Sequence, residues 1–423
     1  MKVLLLGSGA REHALGWKLS QSKTLGGLIS APGNPGLAAL GPTVPGVDIE
    51  DPAVVADLAI SSGVDLVLVG PEAPLAAGVA DHLEAKGVTC FGPGRDAAQL
   101  EASKAFAKDV MERAGVPTGW AKSFTEYESA ADFLASLDGP YVVKADGLAA
   151  GKGVLVTEDV IAAQAWARLC LEGHFGEAGK KVVVEEHLAG REVSVFAICD
   201  GTTAVPLEPA RDYKRLRDGG TGPNTGGMGC FSPVEDLPSG LVGETIDTVI
   251  RPVLETLSEM GMAYRGFLYA GLMLTTDGMK VLEFNCRMGD PETQVVLPRL
   301  RDDLLDLVAA ASSGELTNRS LGWESTAAVD IVLAAPGYPE SPRRGLPISG
   351  LEGLDGRDDV LVFHAGTATT DAGLVSAGGR VLNVVGLGDT VEAARVVAYE
   401  AAAEVVFEDM QFRGDIARGR ESA

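Results

Sequence analysis

Glu283, Asn285 and Arg287 stand at alternating positions in the segment Val281–Glu292. In a strand, residues two apart point to one face. That face would carry a carboxylate, a carboxamide oxygen and a guanidinium. The two oxygens suit a hard cation such as Mg²⁺, and the guanidinium suits a phosphoryl group. Leu282, Phe284 and Cys286 between them are apolar, which predicts a buried opposite face. The competing reading is a solvent-facing strand with no task beyond structure.

A second constellation runs from Lys144 to Val154, with Gly147, Gly151, Lys152 and Gly153 in its loop. Glycine lets backbone N–H groups approach phosphate oxygens, and lysine adds positive charge. The spacing is not that of a Walker A loop, and a plain hairpin turn is the alternative. Glu185-Glu186-His187-Leu188 ends a run of valines. Backbone groups there could read an adenine edge, though a charged strand end explains the same residues. The basic stretch Arg211–Arg217 leads into the glycine-rich stretch Gly219–Gly229, which predicts a mobile loop closing over an anionic ligand rather than a surface linker. Asp290-Pro291-Glu292-Thr293 follows the cation strand directly. Its carboxylates could hold an ammonium group, and Asp290 could also cap a helix opening at Pro291. Gly7–His13 matches a dinucleotide fingerprint only in part, because Glu12 replaces the third glycine. Arg11 there suggests a phosphate ligand at a helix N-terminus. His82, His174 and His364 show no ligand spacing.

These groups need a scaffold. Apolar runs at Val3–Leu6, Leu28–Ser30, Leu66–Val69 and Thr89–Phe91 read as strands, with helical windows at Ala53–Ser61 and Leu75–Ala85. That alternation predicts an α/β domain with a doubly wound parallel sheet. Ligands bind such sheets at the strand carboxyl ends, where the turns beginning at Gly7, Ala31 and Gly70 would sit. After a helix near Ser103–Ala114 the pattern turns strand-rich (Tyr141–Ala145, Val154–Val156, Val182–Glu186). Asp200-Gly201 and Asp277-Gly278 each join two apolar runs, which predicts antiparallel hairpins. The 3.6-residue pattern Ile246–Leu257 predicts a helix disturbed at Pro252. Ser312–Glu324 reads as a linker. Strands at Val329–Leu333 and Arg380–Val385 and a helix Val391–Val406 complete a small C-terminal region.

With 423 residues the chain has room for several domains. Its net charge of −24 argues against nucleic-acid or anionic-membrane partners, and no apolar run is long enough for a membrane span. The short apolar N-terminus reads as a strand rather than a signal peptide. Five scattered cysteines without C-x-x-C spacing fit a reducing cytoplasm.

Taken together, these residues are similar to those of the phosphoribosylamine–glycine ligase family of the ATP-grasp superfamily. The matching strings include Arg11–Leu15, Ala31–Asn34, Val69–Leu75, Ser103–Phe106, Lys144–Val154, Thr221–Gly229, Gly266–Leu272, Glu283–Gln294 and Phe363–Thr367, spread over almost the whole chain. The resemblance implies a substrate-binding α/β domain over 1–103 and an ATP-grasp domain with antiparallel sheets over 104–324, its lid at about 123–190. A small C-terminal α+β domain over 325–423 completes the set. It implies that 5-phosphoribosylamine, glycine and ATP give glycinamide ribonucleotide, ADP and phosphate through a glycyl phosphate, with no protein nucleophile. Another carboxylate–amine ligase of the superfamily is the runner-up.

By position, Glu283 and Asn285 would bind Mg²⁺ or Mn²⁺. Lys104 and Lys144 would hold ATP phosphates under a lid containing Gly147, Gly151, Lys152 and Gly153. Glu185, Glu186 and Leu188 would line the adenine pocket and Glu192 would accept from the ribose. Arg287 would stabilise the transferring phosphoryl group, with Lys144 assisting. Gly9, Arg11, Glu12, Asn34, Glu72, Asp212, Lys214, Asp290, Pro291, Glu292 and Thr293 would hold glycine and phosphoribosylamine. The expected assembly is a monomer or weak homodimer in the cytoplasm. Ala10, Tyr213 and Met288 depart from the usual Gly, His and Phe, and Ala10 is expected to tighten the first turn.

Overall fold

Alternate residues of the first strand feed two different cores. Leu4 and Leu6 pack with the helix Pro52–Ser62, while Val3 and Leu5 pack with the helix Ala10–Ser20. A strand buried on both faces belongs in a sheet covered on both sides. The computed structural model, which describes residues 1–149 and 152–418, builds that sheet. Strands β1 (Lys2–Gly7), β2 (Gly27–Pro32), β3 (Leu66–Val69) and β4 (Thr89–Phe91) are parallel in the order β2-β1-β3-β4. The predicted helix Leu75–Ala85 is two helices, Glu72–Ala77 and Val79–Ala85, parted by Gly78 at φ +88°.

The next sheet is antiparallel, in the order β5-β8-β6-β7: β5 (Ala121–Phe124), β6 (Tyr141–Ala145), β7 (Val154–Thr157) and β8 (Val182–Glu185). It has its own core, in which Val143, Ala145, Val182 and Val184 pack against helices Tyr127–Ala135 and Val160–Leu169.

A third sheet holds β9 (Arg191–Asp200), β10 (Ala204–Pro206), β11 (Arg265–Thr275) and β12 (Gly278–Asn285) in the order β10-β9-β11-β12, antiparallel throughout. Both Asp-Gly hairpins form as expected. At the first, Asp200 Oδ1 accepts from the N–H groups of Thr202 and Thr203. The helix before β11 contains a π turn, Ile246–Ile250, and resumes at Arg251 with Pro252 in its first turn. The wider π turn lies just ahead of Pro252, which lacks an N–H.

The last sheet mixes regions. Arg211–Asp212 and Gly229–Ser232 join β13 (Ala327–Ala334), β14 (Val360–His364) and β15 (Arg380–Gly388), and the helix Val391–Glu404 packs on it. Strand β14 escaped the sequence reading. The segment Ser312–Glu324 is not a free linker: its first two residues end the helix Leu304–Ser313, Leu316 and Leu321 are buried, and Leu316 N donates to Asp200 Oδ2 at 3.0 Å. Among the described residues no helix is long and apolar enough to cross a membrane.

Candidate active site

Strands of the three later sheets, with Arg11, Glu72 and Glu101 from helices packed on the parallel sheet, line one cavity of about 1540 Å³. Lys and Arg outnumber Asp and Glu in its lining, although the whole chain is acidic. Glu283, Asn285 and Arg287 all reach it, so alternation found the right face. It erred at two neighbours. A bulge shifts the register, so that Leu272 opposes Val281 while Gly271 opposes Glu283. The extra residue, Leu282, therefore also lines the cavity; Phe284, though 2% exposed, touches its wall as well, and of the three apolar residues only Cys286 is absent from the lining.

Glu283 keeps an ionised carboxylate. Burial pushes its pKa up, but Lys214, Lys144, Lys104 and Arg287 together bring it below the usual range. The Asn285 carboxamide is oriented by its hydrogen-bond partners. With its nitrogen toward Phe284 O (3.0 Å) and Glu101 Oε1 (3.2 Å), the oxygen is left for a ligand. Glu101, which the sequence reading missed, also accepts from Cys286 N at 2.6 Å and pairs with Arg287 Nη2 at 2.7 Å. On its other edge, Arg287 Nε meets Glu72 Oε2 at 3.2 Å. Burial raises the Glu72 pKa, but Arg287 and Arg11 outweigh it and hold the group at about 2. Burial dominates at Glu101 and lifts it to about 7.

Lys144, at the end of β6, pairs with Glu185 Oε2 at 3.0 Å, and Lys108 joins the same oxygen at 3.3 Å. Lys108 was also missed. Lys104 opens the helix Lys104–Arg113 and donates to Gly147 O at 3.1 Å. Burial lowers its pKa despite Glu283 nearby. Asp146 ties the glycine-rich loop to that helix, accepting from Ala105 N at 2.7 Å and from the cap residue Ser103 at 3.0 Å. Gly147 packs tightly, since a Cβ there would lie 2.7 Å from Ala178 Cα. Lys152, Gly153, Glu186, Leu188 and Glu192 line the cavity, and Gly151 lies outside the described residues.

Lys214 Nζ lies 2.5 Å from Glu192 Oε2, 3.9 Å from Asp212 Oδ1 and 4.0 Å from Glu283 Oε1. Burial would lower its pKa, but Asp212 and Glu192 raise it well above the ordinary lysine value. Burial, against the pull of Lys214, raises Asp212 to about 7. The expected mobile loop is instead a hairpin of Arg215–Arg217 and Thr221–Asn224 whose tip is bonded to Gly414 and Asp415.

Asp290 does not cap a helix at Pro291. The helix begins at Thr293, and the Asp290 carboxylate pairs with Arg380 Nη2 at 2.9 Å and Gln294 Nε2 at 2.8 Å. Burial raises the Asp290 pKa, but Arg380 and Arg11 bring it below the usual range. Arg380 comes from β15, a strand that no motif marks as part of a site. Glu292 accepts from Ser194 Oγ at 3.1 Å and lines the cavity, whereas Thr293 is fully buried and Pro291 is absent from the lining.

A second cavity of about 300 Å³ adjoins, with Gly9, Arg11, Glu12 and Asp290 in its lining. Glu12 itself occupies the helix N-terminus, accepting from Gly9 N at 2.6 Å and from Arg11 Nε at 2.7 Å. Asn34 is 7% exposed and committed to the fold: it donates to Ser8 O (2.9 Å) and His364 O (2.7 Å) and accepts from Leu37 N. Ala10 is the first residue of its helix. Asp409 and Ala417 are the non-glycine residues at positive φ among those described, so Ala10 is unstrained and the expected tightening does not occur. Among the described residues no group of three or more His, Cys, Asp or Glu could hold a metal ion. A cation here would draw on Glu283 and Asn285, with the rest of its shell from ligand and water, as Mg²⁺ prefers.

Comparison with known proteins gives a consistent picture. Residues 1–101 match the N domain of phosphoribosylglycinamide synthetase, 102–293 its ATP-grasp (A) domain and 328–419 its C domain. The chain is 49% identical over 421 residues to phosphoribosylamine–glycine ligase of Leifsonia xyli, covering 99% of both chains. Against the ligase of Brucella melitensis it is 48% identical over 416 residues, covering 98% of this chain and 97% of the relative. The crystal structure of the Thermotoga maritima ligase aligns with a TM-score of 0.84 at 36% identity, over 98% of this chain and 100% of that one. A biotin carboxylase domain from Hydrogenobacter thermophilus shares the fold at 17% identity, with a TM-score of 0.72 over 97% of this chain and 91% of that one.

Proposed function

The chain belongs to the phosphoribosylamine–glycine ligase family and performs the ATP-dependent ligation of glycine in purine biosynthesis, and we propose that it does so through a glycyl phosphate formed and consumed in the large cavity. In this reading Lys104 and Lys144 hold the ATP phosphates. Glu185, Glu186 and Leu188 line the adenine pocket, and Glu192 accepts from the ribose. A glycine carboxylate oxygen attacks the γ-phosphorus, the bond to ADP breaks, and Arg287 neutralises charge on the transferring group. The amine of phosphoribosylamine then attacks the glycyl carbonyl carbon and phosphate leaves. No side chain needs to become a nucleophile, so positioning and charge supply the catalysis. Asp290 and Glu292, with Arg11 and the neighbouring turns, hold the two acceptor substrates, and Asp212 and Lys214 close that side.

Glu283 and Asn285 fit a divalent cation, Mg²⁺ or Mn²⁺, because the first is held ionised and the second satisfies its nitrogen when it is turned toward Phe284 O and Glu101 Oε1, leaving its oxygen for the ion. Held by these two residues, such an ion would supply Lewis-acid chemistry to the phosphates. We also propose a cytoplasmic monomer or weak homodimer acting on small molecules, a setting that the free thiols of the five cysteines suit.

One observation supports this reading above the rest: Glu283, Asn285 and Arg287 share a cavity with Lys104 and Lys144, which come from different sheets and helices. The test is ADP release with glycine and freshly generated phosphoribosylamine. Glu283→Gln is expected to lower kcat at least about a hundredfold while leaving the thermal midpoint near that of the parent. Undiminished turnover at limiting Mg²⁺ would refute the assignment.

A further inference from the structure

The segment Arg413–Ala417 lies far along the chain from Lys214 yet fastens both of its neighbours. Arg413 is 1% exposed. Its guanidinium makes a two-pronged pair with Asp415, both contacts at 2.7 Å, and donates through Nη1 to the backbone oxygen of Arg215 at 3.1 Å. Its charge also lies 4.9 Å from the centre of the Tyr213 ring. The Tyr213 hydroxyl accepts from Ala417 N at 3.0 Å. Lys214 is therefore flanked on each side by a residue that this segment grips.

The hairpin that follows Lys214 is held at its tip as well. Gly219 N donates to Asp415 Oδ2 at 2.7 Å, and Gly414 N donates to Asp218 Oδ1 at 2.8 Å. The segment in turn is anchored to the helix Val391–Glu404: Tyr399 donates to Arg413 O at 2.7 Å and accepts from Ile416 N at 3.0 Å, and Arg395 donates to Ile416 O at 2.9 Å. Ala417 sits at φ +55°, a conformation that an alanine keeps only where its surroundings impose it.

We propose that Arg413 is a positioning residue that acts through Lys214, with Asp415 and Tyr213 as its partners. A lysine on a free hairpin would sample many rotamers. Bracketing its backbone limits where the ammonium goes, and so fixes the contact with Glu192 and the charge beside Glu283. The inference rests on the reading of Lys214 as a substrate-site residue.

A double-mutant cycle tests it. Arg413→Lys keeps the charge but not the planar fork. It is expected to lower kcat/KM about tenfold, with a raised KM for phosphoribosylamine and an unchanged thermal midpoint. Lys214→Ala should lose more, and the double variant should be no worse than Lys214→Ala alone. If the two losses multiply, or Arg413→Lys stays within about twofold of the parent, the inference fails while the role of Lys214 stands. If Lys214→Ala itself keeps full activity, the underlying reading of Lys214 fails and carries the inference with it. Should Arg413→Lys melt early, Tyr213→Phe runs the same cycle, because it removes only the hydroxyl that receives Ala417 N–H. A non-additive loss there upholds the proposal and a multiplicative one overturns it.

Discussion

Arg287 owes its placement to two carboxylates far from it in the chain. Glu72, on the helix Glu72–Ala77, falls within the string Val69–Leu75, whereas Glu101, on the helix Arg95–Ala102, is an ordinary acidic residue in the sequence. Only the packing of the parallel sheet against β12 brings them to the guanidinium, at 2.7 and 3.2 Å. The alternation of Glu283, Asn285 and Arg287 was legible because strand geometry is local. Glu101, Lys108 and Arg380 were not, because their partners lie far away in the chain. The departure at Tyr213 also finds its reason at this scale, in a hydroxyl that meets a backbone N–H of the Arg413–Ala417 segment. Glu101→Gln removes the charge opposite Arg287 and keeps the shape. Its expected effect is a loss of about ten- to a hundredfold in kcat/KM with the fold intact by circular dichroism. Parental kinetics would show that Glu72 alone suffices.

At the scale of elements, the first helix meets β14 through His13. His13 Nδ1 accepts from the backbone N–H of His364 at 2.9 Å, and a Cβ on Gly36 would lie 2.1 Å from the ring. Burial, with His364 nearby, lowers the His13 pKa to about 3. The unfolded chain takes up this proton near the ordinary pKa of about 6.5 and the folded chain resists it. Stability tied to His13 is thus present above pH ~6.5 and is lost as pH falls toward 3, at about 1.4 kcal/mol per pH unit. His13→Asn should flatten the fall of the thermal midpoint between about pH 6.5 and 5. An unchanged slope would place the titration elsewhere. The strands of the parallel sheet and the Asp-Gly hairpins were readable from period and turn chemistry. The bulge at Leu282 was not, since it depends on the partner strand. Nor was β14, whose pairing with β15 is set by the whole sheet.

The molecule as a whole resolves an apparent conflict of charge. A chain carrying −24 encloses a cavity in which lysines and arginines outnumber acids, so its field favours phosphates only where the chemistry needs them. Strands of three sheets and helices packed on the fourth contribute to that cavity, and the glycine-rich stretch expected to be mobile is hydrogen-bonded to the C-terminal region. The glycyl phosphate would move one glycine oxygen onto phosphate there. Glycine labelled with ¹⁸O in its carboxylate, turned over with ATP and phosphoribosylamine, should pass one labelled oxygen to the inorganic phosphate, which mass spectrometry reads directly. Phosphate released without the label would contradict a glycyl phosphate and the account built on it.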